Sequence, residues 1–333
     1  MASTNSSGPR IAVVGVGHFG RHHARILSTL PGARLEAVVD IDADRASAVA
    51  AETGAAPETD VAALDGRVDA VTLAVPTARH HAVALPLLER GVSVLVEKPM
   101  ARSVAEADEL IAAAEASGAV LAVGHTERYN PAIAAALPLV QAPRFIEVHR
   151  IGTFPARSLD IDVVFDLMIH DLDIILTTVG ADVETIEAVG VPVLTDRVDI
   201  ANARLRFTTG CVANLTASRI SRDRVRKLRF FQQDAYISVD CAEQVVEGWR
   251  VTRTPGAEPE IAGGKLDVPR GEPLERELAD FVRGVRAGRP PLVSGVDGRR
   301  ALALAQRVAD VMEKGEDEGS QETGDRRQEA GEA

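Results

Sequence analysis

Ile11-Ala12-Val13-Val14-Gly15-Val16-Gly17-His18-Phe19-Gly20 is an apolar run that closes in G-x-G-x-x-G, and residues 21–30 follow it at helical spacing. That pattern is a buried strand turning directly into a helix. Gly15 permits the tight turn, Gly17 lets the backbone approach a pyrophosphate, and Gly20 lets helix and strand pack closely. The N–H groups at the helix start, around Gly17, His18, Phe19 and Gly20, then face the phosphates. A second apolar run, 35–39, ends in Asp40, about twenty residues past the last glycine. A carboxylate there accepts both ribose hydroxyls of NAD and repels the 2′-phosphate of NADP. Ile41 and Asp42 follow Asp40, with no arginine directly after it, so NAD is expected ahead of NADP. The competing reading of Asp40 is an ordinary helix cap.

Outward from this stretch, residues 10–125 alternate short β runs with amphipathic helices. Strands are expected at 70–74, 93–96 and 120–123, and helices near 42–52, 78–90 and 104–117, the last stopping at Gly118. Strands apolar throughout, each followed by a helix, make a parallel sheet covered on both faces. The expected fold class is α/β, with an N-terminal Rossmann domain over 10–125. The texture then changes. A helix near 130–140, a strand at 144–151 and a buried helix over 163–179 precede strand-like runs at 185–193, 201–207, 212–218, 227–232, 236–239 and 245–252. Runs without intervening helices give a mostly antiparallel, open sheet. This α+β domain is expected over 126–313, closed by helices at 274–287 and 297–312. Its free sheet face is expected to form a homodimer or homotetramer. Residues 1–9 read as a flexible N-terminus and 314–333 as a charged, disordered tail.

The 333 residues are 46% hydrophobic and 26% charged, an ordinary globular balance long enough for two domains. A net charge of −12 argues against nucleic acid and against an anionic membrane surface. Two distant cysteines, Cys211 and Cys241, without a C-x-x-C, fit a reducing compartment and no structural zinc. Residues 1–9 lack a basic start and an apolar core, so a cytoplasmic location is expected.

Three clusters carry chemistry. Ala74-Val75-Pro76-Thr77 lies at the carboxyl end of a strand, where ligands of open α/β sheets bind, and Pro76, Thr77 and His80 are candidates to meet the cofactor. Pro76 also fits a plain loop. Glu97-Lys98-Pro99 ends the next strand. Lys98, held there by proline, is a candidate to meet the cofactor, and near a bound nicotinamide it can donate to a substrate hydroxyl and favour its ionised form. The alternative is a solvated surface lysine. Asp166-Leu167-Met168-Ile169-His170-Asp171 lies in an apolar helical run, with Asp166 and His170 four apart on one face. A carboxylate beside an imidazole fixes its tautomer and raises its basicity, as a general base requires. A satisfied core histidine is the alternative. No further ligand cluster has metal-site spacing, so no metal is expected.

Taken in order, Gly15–Gly20, Asp40, Glu97-Lys98-Pro99, Arg128-Tyr129-Asn130-Pro131 and Asp166-x-x-x-His170 resemble the glucose–fructose oxidoreductase/inositol dehydrogenase (Gfo/Idh/MocA) family along the chain from glycine loop to final helix. The resemblance implies a nicotinamide enzyme moving a hydride at a sugar or cyclitol carbon. It implies that Lys98 and His170 act on the substrate hydroxyl, that Asp166 orients His170, and that Glu97 lies near the nicotinamide ribose. It also implies that residues 125–130 line the site, which adds His125 for the cofactor and Arg128, Tyr129 and Asn130 for the substrate. Residues 162–171 and the strand region through Arg219 are further similar to bacterial enzymes that oxidise C3 of UDP-N-acetylglucosamine in a diamino-sugar branch of lipid A synthesis. The run Arg219, Arg222, Arg224, Arg226, Lys227 and Arg229, against a single Asp223, suits a diphosphate. It equally suits a solvated hairpin or an oligomer contact. A free-sugar or inositol dehydrogenase would not need this run. A non-catalytic NAD-sensing or partner-binding protein would not need Lys98, Asp166 and His170.

Overall fold

Arg10–Val14 forms strand β1, and the chain turns at Gly15 into helix α1, Gly20–Thr29, as the opening stretch requires. The structure, a computed structural model, describes residues 8–154 and 161–329, with side chains described through residue 314. The chain divides into two compact units. One takes the described part of Met1–Asn130 together with Arg270–Leu302, and the other takes Pro131–Pro269 and the described residues from Ala303 onward.

In the first unit β2 (Arg34–Val39), α2 (Ala43–Thr53), β3 (Ala56–Glu58), β4 (Ala70–Leu73), α3 (His80–Glu89), β5 (Ser93–Glu97), α4 (Val104–Ser117) and β6 (Leu121–Gly124) continue the alternation. The six strands are parallel in the order β3-β2-β1-β4-β5-β6. The order reverses direction between β1 and β4, so the crevice for a ligand opens at their carboxyl ends. Local chemistry sets the helix limits. Ser103 caps α4 through the N–H of Glu106, and Gly118 ends it at φ +75°, a conformation that costs a glycine nothing. Residues 126–129 add one short 3-10 turn.

The second unit contains α5 (Pro131–Ala136), β7 (Phe145–Ile151) and α6 (Ile169–Val179), the last preceded by a π-helical turn over Val164–Met168. Strands β8 (Val183–Val191), β9 (Ile200–Phe207), β10 (Val212–Ser218), β11 (Val225–Phe231), β12 (Ala235–Asp240), β13 (Val245–Thr252) and β14 (Glu260–Lys265) follow. With β7 they form one sheet, ordered β14-β13-β12-β11-β7-β10-β9-β8. Only β7 and β10 run parallel. Strict alternation separates its faces. Ala201, Ala203, Leu205 and Phe207 of β9 are buried while Asn202, Arg204 and Arg206 are exposed. The outward face carries cross-strand pairs, among them Arg229 Nη1 to Glu147 at 2.7 Å and Asn202 Nδ2 to Thr216 at 2.9 Å. Beside them the rings of Phe145, Phe231 and Tyr236 pack in tilted pairs, with centroids 5.5 and 5.1 Å apart.

The chain then returns to the first unit as α7 (Pro273–Ala287) and the start of α8 (Gly295–Glu329). Leu278, Phe281 and Val282 of α7 join Ile11, Val13 and Leu27 in that unit's core. Each such fully buried side chain contributes about 1.5–3 kcal/mol.

Four expectations differ from the structure. The boundary expected at 126 falls after Asn130, and the first unit reclaims Arg270–Leu302, because the apolar stripe of α7 packs on that unit's core. Helix α8 runs on to Glu329 instead of stopping at 312. Residues 313–329 are rich in the helix formers Glu, Gln, Lys and Arg and contain no proline, which outweighs Gly315, Gly319 and Gly324 among them. Strand β14 was not legible, since Glu-Ile-Ala-Gly-Gly-Lys has too few apolar residues to alternate. Within 163–179 the π turn interrupts a regular helix. The loop expected through 162 lies partly outside the described residues.

Candidate active site

The three glycines each do what their spacing requires. Gly15 adopts φ +83°, and a Cβ there would stand 2.7 Å from the carbonyl oxygen of Ala74, so only glycine lets the loops after β1 and β4 touch. A Cβ at Gly20 would overlap the carbonyl oxygen of Gly15. Around Gly17 no atom lies within 4 Å of that position, which leaves room for an approaching phosphate. His18 and Phe19 are exposed, their rings edge to face at 5.4 Å. Asp40 is buried, and its carboxylate is fixed by the N–H groups of Val16 and Asp42, both at 3.0 Å. The capping alternative belongs to its neighbour: Asp42 accepts the N–H groups of Asp44 and Arg45 at the start of α2. An open Gly17 at the start of α1 and a carboxylate at the next strand end together fit a dinucleotide.

At the end of β4, Pro76 is exposed and Thr77 opens a short turn into α3. His80 differs from expectation. It is buried, with Nδ1 2.9 Å from the carbonyl oxygen of Pro99 and Nε2 2.9 Å from that of Val75. Both nitrogens face backbone, so His80 braces the loops after β4 and β5 and offers its polar atoms to no ligand.

Glu97 packs over Gly124, where a Cβ would stand 2.9 Å from its Oε2, and Oε1 lies 3.1 Å from Nε2 of the fully buried His23. Burial pushes the Glu97 carboxyl up. The hydrogen bond and charge of His23, with Lys98 and His80 behind them, outweigh it and hold the group below the usual carboxylate range. Lys98 follows, half-buried, its N–H donating to Glu97 Oε2 at 3.3 Å. His125 is buried, and burial, then Lys98 and Arg128, push it down to about 3, so its ring is neutral.

The segment after β6 is tied to α7, from about 150 residues downstream in the chain, a link with no local signature in the sequence. Thr126 Oγ1 donates to Glu277 Oε2 and Tyr129 Oη to Asp280 Oδ2, both at 3.0 Å. Asp280 Oδ2 also accepts the N–H of Leu292 at 2.7 Å. Arg128 reaches the carbonyl oxygen of Leu292 at 3.3 Å, and Asn130 Nδ2 reaches Glu127 at 3.2 Å. Arg128, Tyr129 and Asn130 are all buried. Tyr129, expected at the substrate, donates its hydroxyl hydrogen bond to Asp280, and it lies buried with Arg128 and Asn130 in the segment tied to α7.

Glu277 is a buried carboxyl beside this segment that the sequence did not disclose. It is 1% exposed, and its Oε1 has no hydrogen-bond partner. Burial first, and the nearby Glu97 charge second, raise its carboxyl well above the usual value of 4.5. The native state therefore binds a proton that the unfolded chain releases above pH 4.5, so this group's contribution to stability falls as pH rises from there through the raised value. Glu277→Gln keeps the shape and removes the titration. The stability of the variant, from urea melts across pH 5–9, is expected to decline less with rising pH than that of the parent. Parallel declines would refute the assignment.

In the second unit Asp166 lies in the π turn and His170 in the first turn of α6, both half-buried. Single π turns inserted in helices occur frequently at functional sites. Asp171, next to His170 in the chain, pairs with Arg150 through two hydrogen bonds at 2.7 Å between side chains at most 4% exposed. Of the basic run, Arg219 is buried against Asp199, Lys227 meets Asp240 and Arg229 meets Glu147, while Arg222 and Arg224 stay exposed. Among the described residues no three His, Cys, Asp or Glu side chains are grouped to hold a metal ion.

Two family models match the chain. Residues 9–125 match "Oxidoreductase family, NAD-binding Rossmann fold", and 153–238 match "GFO/IDH/MocA C-terminal domain". The chain is 42% identical over 308 residues to a UDP-N-acetylglucosamine 3-dehydrogenase from Acidithiobacillus ferrooxidans, covering 91% of this chain and 97% of that one. A solved structure of that enzyme superimposes with a TM-score of 0.86 at 40% identity, over 92% of this chain and 98% of the other. A myo-inositol 2-dehydrogenase from Thermotoga maritima is 26% identical over 332 residues, 92% and 96% of the two chains.

Proposed function

The chain belongs to the GFO/IDH/MocA family of NAD-binding oxidoreductases, and from that premise we propose that it oxidises C3 of UDP-N-acetylglucosamine to the 3-keto sugar. What carries the substrate is the 42% identity, sustained over 91% of the chain, to a dehydrogenase of that nucleotide sugar. NAD, when bound, is the acceptor for the hydride that leaves the carbon. The glycine loop binds its pyrophosphate and Asp40 its adenosine ribose. His170 takes the hydroxyl proton on an imidazole nitrogen, with Asp166 fixing the ring, and Lys98 steadies the alkoxide by its charge.

The same reading places the enzyme in the cytoplasm, in a lipopolysaccharide pathway that consumes the keto sugar. It also makes the outward face of the β7–β14 sheet the contact between copies in a homodimer or homotetramer. Among the described residues no helix is long and apolar enough to cross a membrane.

The test is an equilibrium titration of the protein–NADH complex, followed by nicotinamide fluorescence, with UDP-N-acetylglucosamine, myo-inositol and glucose in turn. The UDP sugar alone is expected to saturate. Arg222→Gln with Arg224→Gln, which leaves the paired Arg219, Lys227 and Arg229 untouched, is expected to weaken it about tenfold if these guanidinium groups meet the diphosphate. Saturation by inositol or glucose, without response to the UDP sugar, would overturn the substrate and leave the family unaffected. Binding of NADH with no turnover on any sugar would favour a sensor.

A further inference from the structure

A carboxylate at the end of β2 is read as a receptor for two ribose hydroxyls, yet around Asp40 those acceptor sites are already in use. Its Oδ2 accepts the N–H of Val16 at 3.0 Å and its Oδ1 that of Asp42 at 3.0 Å. Arg45, five residues on, lays one nitrogen across both oxygens, Nη1 standing 3.0 Å from Oδ1 and 3.2 Å from Oδ2. Its other nitrogen, Nη2, is 3.1 Å from Asp42 Oδ2. A carboxylate has about four lone-pair sites, and all four are filled. The donors are not equivalent. Val16 and Asp42 donate from backbone that the glycine loop and the α2 cap hold in place. Arg45 donates from a side chain that is 47% exposed. A ribose that binds Asp40 displaces Arg45 and nothing else.

We propose that Arg45 sets the coenzyme specificity of this chain: it competes with the ribose hydroxyls for Asp40 and, once displaced, is the counter-charge for a 2′-phosphate. Guanidinium binds phosphate in a fork, and Arg45 starts from hydrogen-bond distance of the carboxylate that the 2′-position must approach. Its charge offsets the repulsion that Asp40, with Asp42 and Asp44 beside it, exerts on a phosphate. Preference for NADH over NADPH is then shallower than an unguarded aspartate would give. The sequence pointed the other way because no arginine directly follows Asp40, whereas the first turn of α2 brings one back from position 45. The proposal rests on Asp40 being the ribose residue.

Direct fluorescence titration of NADH and NADPH, with no substrate and no turnover, tests it on the parent, Arg45→Gln, Arg45→Lys and Asp40→Asn. Arg45→Gln is expected to weaken NADPH about tenfold and to leave NADH equal or tighter. Arg45→Lys, which keeps the charge, is expected to retain most of the NADPH affinity. Arg45→Gln with the ratio of the two dissociation constants within twofold of the parent's overturns the proposal. An unchanged ratio in Asp40→Asn faults the ribose assignment itself, and the proposal with it. A ratio that moves in Asp40→Asn but not in Arg45→Gln faults Arg45 alone.

Discussion

Lys98→Ala is expected to lower turnover by about 10²–10⁴-fold while leaving NADH affinity within a few-fold of the parent. The separation follows from where each group sits. In the proposed function the pyrophosphate falls to the loop after β1 and the adenosine ribose to the carboxylate after β2, and Lys98 carries neither. Lys98 stands at the end of β5 between two residues that are themselves held. Glu97 is locked to His23 at 3.1 Å, and the Pro99 carbonyl oxygen lies 2.9 Å from Nδ1 of the buried His80. Its ammonium is therefore presented from a fixed base, and developing alkoxide charge is what such a group stabilises most in the transition state. Removing it subtracts that stabilisation without disturbing the base. Pre-steady-state reduction of NAD at saturating substrate gives the chemical step, and fluorescence titration gives the affinity. Turnover within threefold of the parent would retire Lys98 as a participant. Equal loss of NADH binding would make it a cofactor residue instead.

What the sequence disclosed and what it concealed divide along a physical line. Features set by neighbours in the chain were legible. The G-x-G-x-x-G turn, the stop of α4 at Gly118, the strands at 212–218 and 245–252 and the four-residue spacing of Asp166 and His170 each depend on a few consecutive residues. Features set by partners far along the chain were not. Nothing local says that α7 receives Thr126 and Tyr129, or that Glu277 is buried near Glu97. Arg45 looked unrelated to Asp40 because only the first turn of α2 folds it back. The π turn at Asp166 is invisible for another reason. An apolar helix accommodates one wide turn without any change in residue type. Charge misled in the same way: Arg219 reads as part of a basic run suited to a diphosphate or a solvated hairpin, and it turns out to form an internal pair with Asp199.

Arg219 makes the second large prediction, because the basic run it opens is not uniform. Its side chain is among the largest that are fully buried, and Nε donates to Asp199 Oδ1 at 2.8 Å. Nη1 reaches the carbonyl oxygen of Ile161 at 2.8 Å and Nη2 the Thr195 hydroxyl at 3.2 Å. Asp199, also fully buried, gathers the N–H groups of Val193, Leu194 and Thr195 on Oδ2. Burial alone pushes its carboxyl up. The N–H groups of Leu194 and Val193, then Arg219 and Thr195, outweigh it and hold the group well below the usual 3.8. Arg219→Met removes the cation and leaves a buried carboxylate with only dipoles to balance it, so a loss of about 3–5 kcal/mol in unfolding free energy is expected. Arg224→Gln, only five residues on, is expected to cost under about 0.5 kcal/mol because its side chain is exposed. The pH dependence has a definite sign. A depressed native value means that the Asp199 contribution is present above pH 3.8 and is lost as pH falls below it. Arg219→Met raises that native value, so less is lost on acidification, and the gap between variant and parent should narrow from pH 7 towards pH 3. Urea melts at both pH values measure it. A gap that stays constant, or a loss below 1 kcal/mol at pH 7, would mean that Asp199 is held by its three backbone donors without need of the arginine.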